Sequence, residues 1–173
     1  MMKKIFVLDS SVFLDGFNPT NLEEITFIIP KAVLDEIKDL KSKTRLDNYL
    51  AAKKIIVEWP EKETRKRVKE IATKLGDLAF LSEADIDVIS VALSHKLKNI
   101  NVVILSNDYT IANVSKKLGI KVETYTKQGI KKIKKSVLYC TSCRRSFYTS
   151  RFTEIKICPV CGGHLIRRRV KIS

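Results

Sequence analysis

The 173-residue chain has only two histidines and four cysteines, and no cysteine lies before residue 140. Neither His95 nor His164 sits in a pattern that marks a general base, and His95 is expected on a helix surface. No Gly-x-x-x-x-Gly-Lys-Ser/Thr loop is present, which argues against a nucleoside triphosphatase. No apolar run approaches the ~18 residues that read as a membrane span. Met1-Met2-Lys3-Lys4-Ile5 superficially resembles a secretion signal, but the apolar run stops at Asp9 and no small-residue cleavage site follows. A cytoplasmic protein is the expectation. Acids are nearly missing from the end of the chain. Residues 127–173 carry 13 Lys/Arg against Glu154 alone, whereas residues 1–126 carry 20 Lys/Arg against 18 Asp/Glu. The net charge of +14 therefore belongs mostly to the tail. Such asymmetry points to a polyanionic partner, nucleic acid before an anionic membrane, because no clear amphipathic helix accompanies the charge.

The first 126 residues alternate strand and helix signals. Residues 5–9 and 102–105 are short apolar runs of buried-strand type, and 25–29 is a β-branched and aromatic run stopped by Pro30. From Pro30, Val33, Ile37 and Leu40 keep a helical period, and helical patterns continue through 46–57 and 62–75, the latter closed by Gly76. Ser82-Glu83-Ala84-Asp85 opens a helix to about residue 97 like a capping box. A helix over 108–118 closes at Gly119, and 121–125 is a last strand. This alternation predicts an α/β fold, a parallel sheet flanked by helices. The basic stretch 127–136 reads as a linker, and 137–173 as a small β unit built round cysteines.

Cys140-Thr141-Ser142-Cys143 and Cys158-Pro159-Val160-Cys161 each place two sulfurs within reach of one ion. Together they suit a tetrahedral four-thiolate structural Zn2+ site. So small a unit lacks the core to fold alone, so the metal supplies stability. Disulfides are disfavoured in a cytosolic chain. His164 is left as a surface residue because four thiolates fill the shell. Around the cysteines, Arg144, Arg145, Tyr148 and Arg151, then Arg167, Arg168 and Arg169, mix guanidinium and aromatic groups that suit phosphate contact and base stacking. Lys131, Lys132, Lys134 and Lys135 of the linker extend the set of RNA-contact candidates. Phe147 is expected to fill the core of the zinc unit.

Four carboxylates carry the chemistry. Asp9 ends one strand run and Asp108 closely follows another, while Glu36 and Asp85 lie near helix starts. Ligands of an open α/β sheet gather outside the carboxyl ends of its strands. Like charges gathered there are costly without a cation, and Mg2+ or Mn2+ is the hard ion that suits oxygen ligands. Two such ions about 3.5–4 Å apart clamp the attacking and leaving oxygens of a phosphodiester, so no side-chain nucleophile is needed. Each acid has a plainer alternative. Asp9 and Asp108 could cap helices, Asp85 could serve the capping box, and Glu36 could be solvated. Asp85 and Asp87, two residues apart and so about 200° round a helix, cannot easily face one site together. Asp85 shares its face with Ile89 and Ala92 and is the inward choice. Ser10, Ser106 and Asn107 could orient a ligand carboxylate or water.

Val7-Leu8-Asp9-Ser10-Ser11, Val33-Leu34-Asp35-Glu36-Ile37, Leu81-Ser82-Glu83-Ala84-Asp85 and Leu105-Ser106-Asn107-Asp108-Tyr109 resemble, in order and spacing, the motifs of PIN-domain ribonucleases. In that resemblance Asp9, Glu36, Asp85 and Asp108 match the metal-binding acids. A PIN unit followed by a four-cysteine ribbon is similar to the "Nin one binding" protein family of small-subunit rRNA maturation endonucleases, and the short chain suits an archaeal member. The resemblance implies Mn2+- or Mg2+-dependent cleavage of precursor RNA at the 3′ end of the small-subunit rRNA. Two rivals remain at this stage: a toxin-type PIN ribonuclease, and a non-catalytic zinc-ribbon assembly factor that only binds RNA.

Overall fold

The computed structural model describes residues 4–19, 25–126, 129–131, 136–148 and 156–169. At its centre the two apolar runs pair in parallel. Strands β1 (Lys4–Leu8) and β4 (Val102–Leu105) lie side by side, Ile5 opposite Val102 and Leu8 opposite Leu105. Phe6, Val7, Leu8 and all of β4 are buried. A parallel strand covered on both faces reads as a continuous apolar run for that reason. Strands β2 (Ile25–Pro30) and β3 (Ile55–Glu58) extend the sheet beyond β1, and β5 (Lys121–Thr126) extends it beyond β4. The order is β3-β2-β1-β4-β5-β6, with β6 (Gly129–Lys131) antiparallel to β5 inside the expected linker. The chain winds outward from β1 to β3 on one side and from β4 to β5 on the other. The switch point, where ligands of such sheets bind, is therefore the gap beyond the carboxyl ends of β1 and β4.

Helices α1 (Ser10–Leu14), α2 (Lys31–Glu36), α3 (Leu40–Ala51), α4 (Lys62–Leu75), α5 (Glu83–Leu97) and α6 (Tyr109–Lys117) flank the sheet. Ten residues of α5, from Ala84 to Ser94, are buried, as expected of a helix apolar nearly all round. The helix expected onward from Pro30 is shorter than its periodicity implied. It stops at Glu36, Ile37 turns to an extended conformation (ψ 95°), and α3 starts afresh after Asp39, which caps it by accepting the Ser42 N–H at 2.9 Å. The helical pattern read over 46–57 is also corrected: the helix ends at Ala51, and residues 55–58 are strand β3.

The cysteine unit is a three-stranded antiparallel sheet of β7 (Ser136–Cys140), β8 (Ser146–Tyr148) and β9 (Leu165–Arg169), in the order β8-β7-β9. Its small core is Leu138, Cys140, Phe147, Cys158 and Leu165. Phe147 is 1% exposed, as expected of a core residue, and it also reaches beyond its own unit. Its ring lies 5.4 Å from that of Phe80, on the 3-10 turn Leu78–Phe80 that follows α4. Gly76, the left-handed cap of α4 (φ 77°), sits under the same contact. A Cβ there would approach Val160 Cγ2 to 2.9 Å and Phe147 Cε1 to 3.1 Å. The ribbon is thus seated on the end of α4. No described helix is long and apolar enough to cross a membrane.

Candidate metal centres

Asp9 is the most constrained of the acids. It directly follows β1, is 4% exposed, and its N–H donates to the Leu105 carbonyl at 3.1 Å. It occupies the N-cap position of α1 without capping it. Its carboxylate instead accepts Ser11 Oγ at 2.6 Å and Ser106 Oγ at 2.8 Å on Oδ2, with Ser10 Oγ at 3.4 Å from Oδ1. Burial pushes its pKa up, the Ser11 and Ser106 hydroxyls pull it down, and Asp108 pushes it up again.

The other three acids each lie near enough to interact with its charge. Asp85 stands at the third position of α5 in a reciprocal capping box, its Oδ2 accepting the Ser82 N–H at 2.7 Å. That bond uses one oxygen of the carboxylate. Burial, with Asp9 and Asp108 nearby, pushes Asp85 up to about 7 against the pull of the Ser82 N–H. Glu36 ends α2 and is exposed. Burial of its carboxylate and repulsion from Asp9 raise it, while Lys38 and the Ser10 and Ser82 hydroxyls lower it. Asp108 caps α6, Oδ1 accepting the Thr110 N–H at 2.6 Å. The capping alternatives for Asp85 and Asp108 are therefore both realised, and both carboxylates still interact with the charge of Asp9. Asp9 repels each of the other three, and Asp9, Glu36 and Asp85 are all raised, a donor set that suits a divalent cation.

Asp87 is elsewhere. It lies 2.7 Å from Arg65 Nε across the α4–α5 contact, an ion pair without the alignment of a good hydrogen bond. His95 is half-buried and pairs with Glu58 at 2.8 Å, away from the acids.

Two residues at the site escaped sequence reasoning. Ser11 is one. Its hydroxyl donates to Asp9 and accepts the Asn107 N–H at 3.0 Å, so it ties α1 to the loop after β4. Asn107 completes that tie, its amide reaching Asp15 Oδ2 at 2.5 Å and the Tyr125 carbonyl at 3.0 Å. The other is Asp77, just past Gly76. It is fully buried, one carboxylate oxygen accepts the Asn113 amide, and Oδ1 has no partner. Burial raises it to about 6, against Asn113 and with a further push from Asp108. Nothing in the sequence separates a Gly-Asp after a helix from an ordinary turn.

The four cysteines gather round one point, with their ligand atoms all within 4.8 Å of one another. Among the described residues they are the one such group, and no three of the carboxylates come that close together. Cys140 and Cys161 sulfurs are 3.5 Å apart, Cys143 and Cys158 sulfurs 3.7 Å, and all four are free thiols. Burial works to raise Cys140, but the Cys143 and Ser142 N–H groups and the neighbouring thiols outweigh it and bring it to about 6. Four sulfurs too far apart to bond and close enough to compete for protons fit Zn2+. His164 is exposed and lends only its carbonyl, to the Thr141 N–H.

Of the RNA-contact candidates, Arg144 and Arg145 are exposed beside the cysteine loop. Lys131, Tyr148, Arg167, Arg168 and Arg169 lie on β6, β8 and β9, described in their backbone. Lys132, Lys134, Lys135 and Arg151 lie outside the described residues.

Comparison with known proteins agrees with this architecture. Residues 6–97 match the family model for the PIN domain of ribonuclease. The chain is 39% identical over 171 residues to endoribonuclease Nob1 of Pyrococcus abyssi, covering 98% of each chain. It is 33% identical over 168 residues to endoribonuclease Nob1 of Methanothermobacter thermautotrophicus, covering 97% of this chain and 94% of that one. Ribonuclease VapC1 of Thermoplasma acidophilum is 33% identical over 167 residues, 95% of this chain and 77% of that one. With a PIN nuclease fold, a cysteine cluster after it and similarity that runs nearly end to end, the chain belongs to the Nob1 endoribonuclease family.

Proposed function

We propose that this protein matures the 3′ end of the small-subunit rRNA in the cytoplasm, by metal-dependent hydrolysis within a precursor particle. The observation that carries the reading is the placing of Asp9, buried and held by two serine hydroxyls at the sheet's switch point, beside three further acids. Asp9, Glu36, Asp85 and Asp108 hold Mn2+ or Mg2+, and Cys140, Cys143, Cys158 and Cys161 hold Zn2+. Bound at the acids, a divalent cation lowers the pKa of water and neutralises charge on the scissile phosphate. The chain's own part is positioning. Ser11 and Ser106 fix the Asp9 oxygens, the capping box fixes Asp85, and the Thr110 N–H fixes Asp108. Residues 1–126 act as the nuclease unit. Lys131, Lys132, Lys134 and Lys135 of the linker 127–136, with Arg144, Arg145, Tyr148, Arg151, Arg167, Arg168 and Arg169 of the ribbon 137–173, grip the RNA.

The test is cleavage of an RNA spanning the 3′ end of the small-subunit rRNA and its downstream spacer, with Mn2+, with EDTA, and with Asp9→Asn. A single metal-dependent cut at the mature end, lost in the variant while binding persists, is the expected result. Cutting by Asp9→Asn at the wild-type rate would overturn the site. The likeness to a ribonuclease named VapC1 favours, as a second reading, a nuclease without that substrate preference. Equal cutting of unrelated RNAs would support it.

A further inference from the structure

The cleft beside the acids has its own chemistry. The break after Glu36 and the fresh start of α3 leave a groove between α1 and the first turns of α3. One part of it, about 450 Å³, is lined by Ser10, Phe13, Leu14, Glu36, Lys38 and Ser42 among others. A second part, about 440 Å³, shares Phe13, Leu14, Asp39 and Ser42 and runs on to Lys41, Arg45 and Tyr125. The groove therefore starts at the proposed metal site, where Ser10 leans on Asp9 and Glu36 forms the wall.

Leu14, 59% exposed, is the apolar surface the groove offers, over the buried Phe13. Its rim is cationic. Residues 38–45 carry Lys38, Lys41, Lys43 and Arg45 against Asp39 alone, and Asp39 is engaged in capping α3. Among the described residues, Lys38, Lys41 and Arg45 have no carboxylate within 4.0 Å. Arg45 gives one N–H to the Phe13 carbonyl at 3.4 Å, which anchors the guanidinium over the groove with donors to spare. Asp15, at the far end, is held by the Asn107 amide. Each part has the ~300–1,000 Å³ size of a small-ligand pocket. Unpaired cations at the rim suit the phosphates of a strand, and Leu14 gives a base an apolar surface to lie against, contacts that need no particular sequence. A paired strand could not lay its base there.

We propose that this groove holds the single-stranded RNA adjoining the scissile phosphate, its phosphates on Lys38, Lys41 and Arg45 and a base against the exposed Leu14. The inference rests on the nuclease reading above and adds the path of the strand. It is tested in two arms on the full-length, zinc-loaded protein. In the first, RNA carrying 4-thiouridine within two nucleotides of the cut is cross-linked to Asp9→Asn, and the attached peptide is identified by mass spectrometry. This arm needs no cleavage, so it stands even if the wild-type protein cuts nothing, an outcome that would sink the nuclease reading alone. Attachment within residues 13–16 or 38–45 is expected; attachment confined to other segments overturns the proposal. In the second, Lys38→Ala with Lys41→Ala, both exposed and outside any packing, is compared with wild type on a short unpaired substrate. Expected are a KM raised about tenfold and a salt slope shallower by about 1.4, at ~0.7 for each lost phosphate contact on a single strand. An unchanged KM and slope overturn it. Arg45→Lys, which keeps the charge and loses the planar fork, should fall between the two.

Discussion

Ser11 shows how much of the site depends on groups that do no chemistry. Its hydroxyl orients Asp9 and catches the Asn107 N–H, so one atom sets the distance between the ends of β1 and β4. Removing such an outer partner typically costs about 10–100-fold in metal affinity or activity. Ser11→Ala is expected to lose that much in cleavage rate, restored in part by raising Mn2+; full activity at limiting Mn2+ would deny it the role. Asp77 makes a different prediction. Its pKa is raised from 3.8 to about 6, so between those values the folded chain binds the proton that the unfolded chain releases. Its contribution to stability is therefore lost as pH rises from about 4 to 6 and stays lost above. Asp77→Asn keeps an acceptor for Asn113 and removes the charge. Urea melts should show the variant gaining stability relative to wild type at pH 7.5 and losing that advantage at pH 4; an equal difference at both would contradict it. Asp9, Asp85 and Asp108 could be found in the sequence because each adjoins an apolar run or a capping pattern. Asp77 could not, because its burial comes from Asn113 and from the ribbon seated on Gly76, both distant along the chain.

Among the elements, the buried strands and the long helices announced themselves by period and by caps, and β3 did not. The helix before it closes with Lys53 in the left-handed region (φ 54°), Lys53 N–H donating to Leu50 and Lys54 N–H to Tyr49, each at 2.9 Å. That is the hydrogen-bond pattern of a glycine-type helix stop, made here by a lysine. Without a glycine to mark the end, residues 46–57 read as one helical stretch. Lys53→Gly should therefore stabilise the chain by roughly 0.5–1 kcal/mol by relieving the left-handed strain. No gain in a urea melt would mean the strain is absorbed elsewhere. Gly76, by contrast, closes α4 where a glycine was expected, yet its second duty at the ribbon contact is invisible in sequence. Gly76→Ala meets both the positive φ and two ribbon side chains. It is expected to cost more than the ~1 kcal/mol of a simple cap substitution.

For the whole molecule, the fold and the cysteine cluster were legible because each rests on local patterns: apolar runs, capping signals and paired Cys-x-x-Cys. The seating of the ribbon on α4 was not, since it depends on Phe80 meeting Phe147 across 67 positions of chain. With so small a core, the ribbon is expected to hold that seat only with a metal on its four cysteines. Stripping zinc with a thiol-directed chelator should raise hydrogen exchange in 136–148 and 156–169 and around Gly76, while β1 and β4 stay protected; uniform protection would mean the ribbon stands without zinc. The account as a whole turns on the acids. Its most direct test is titration of Mn2+ into zinc-loaded wild-type protein and Asp9→Asn, followed by the paramagnetic resonance of free Mn2+. Binding by wild type at pH 7.5, weakened near pH 5 where Asp85, raised to about 7, keeps its proton, and abolished in Asp9→Asn, is the expected result. Equal binding by the variant would contradict it.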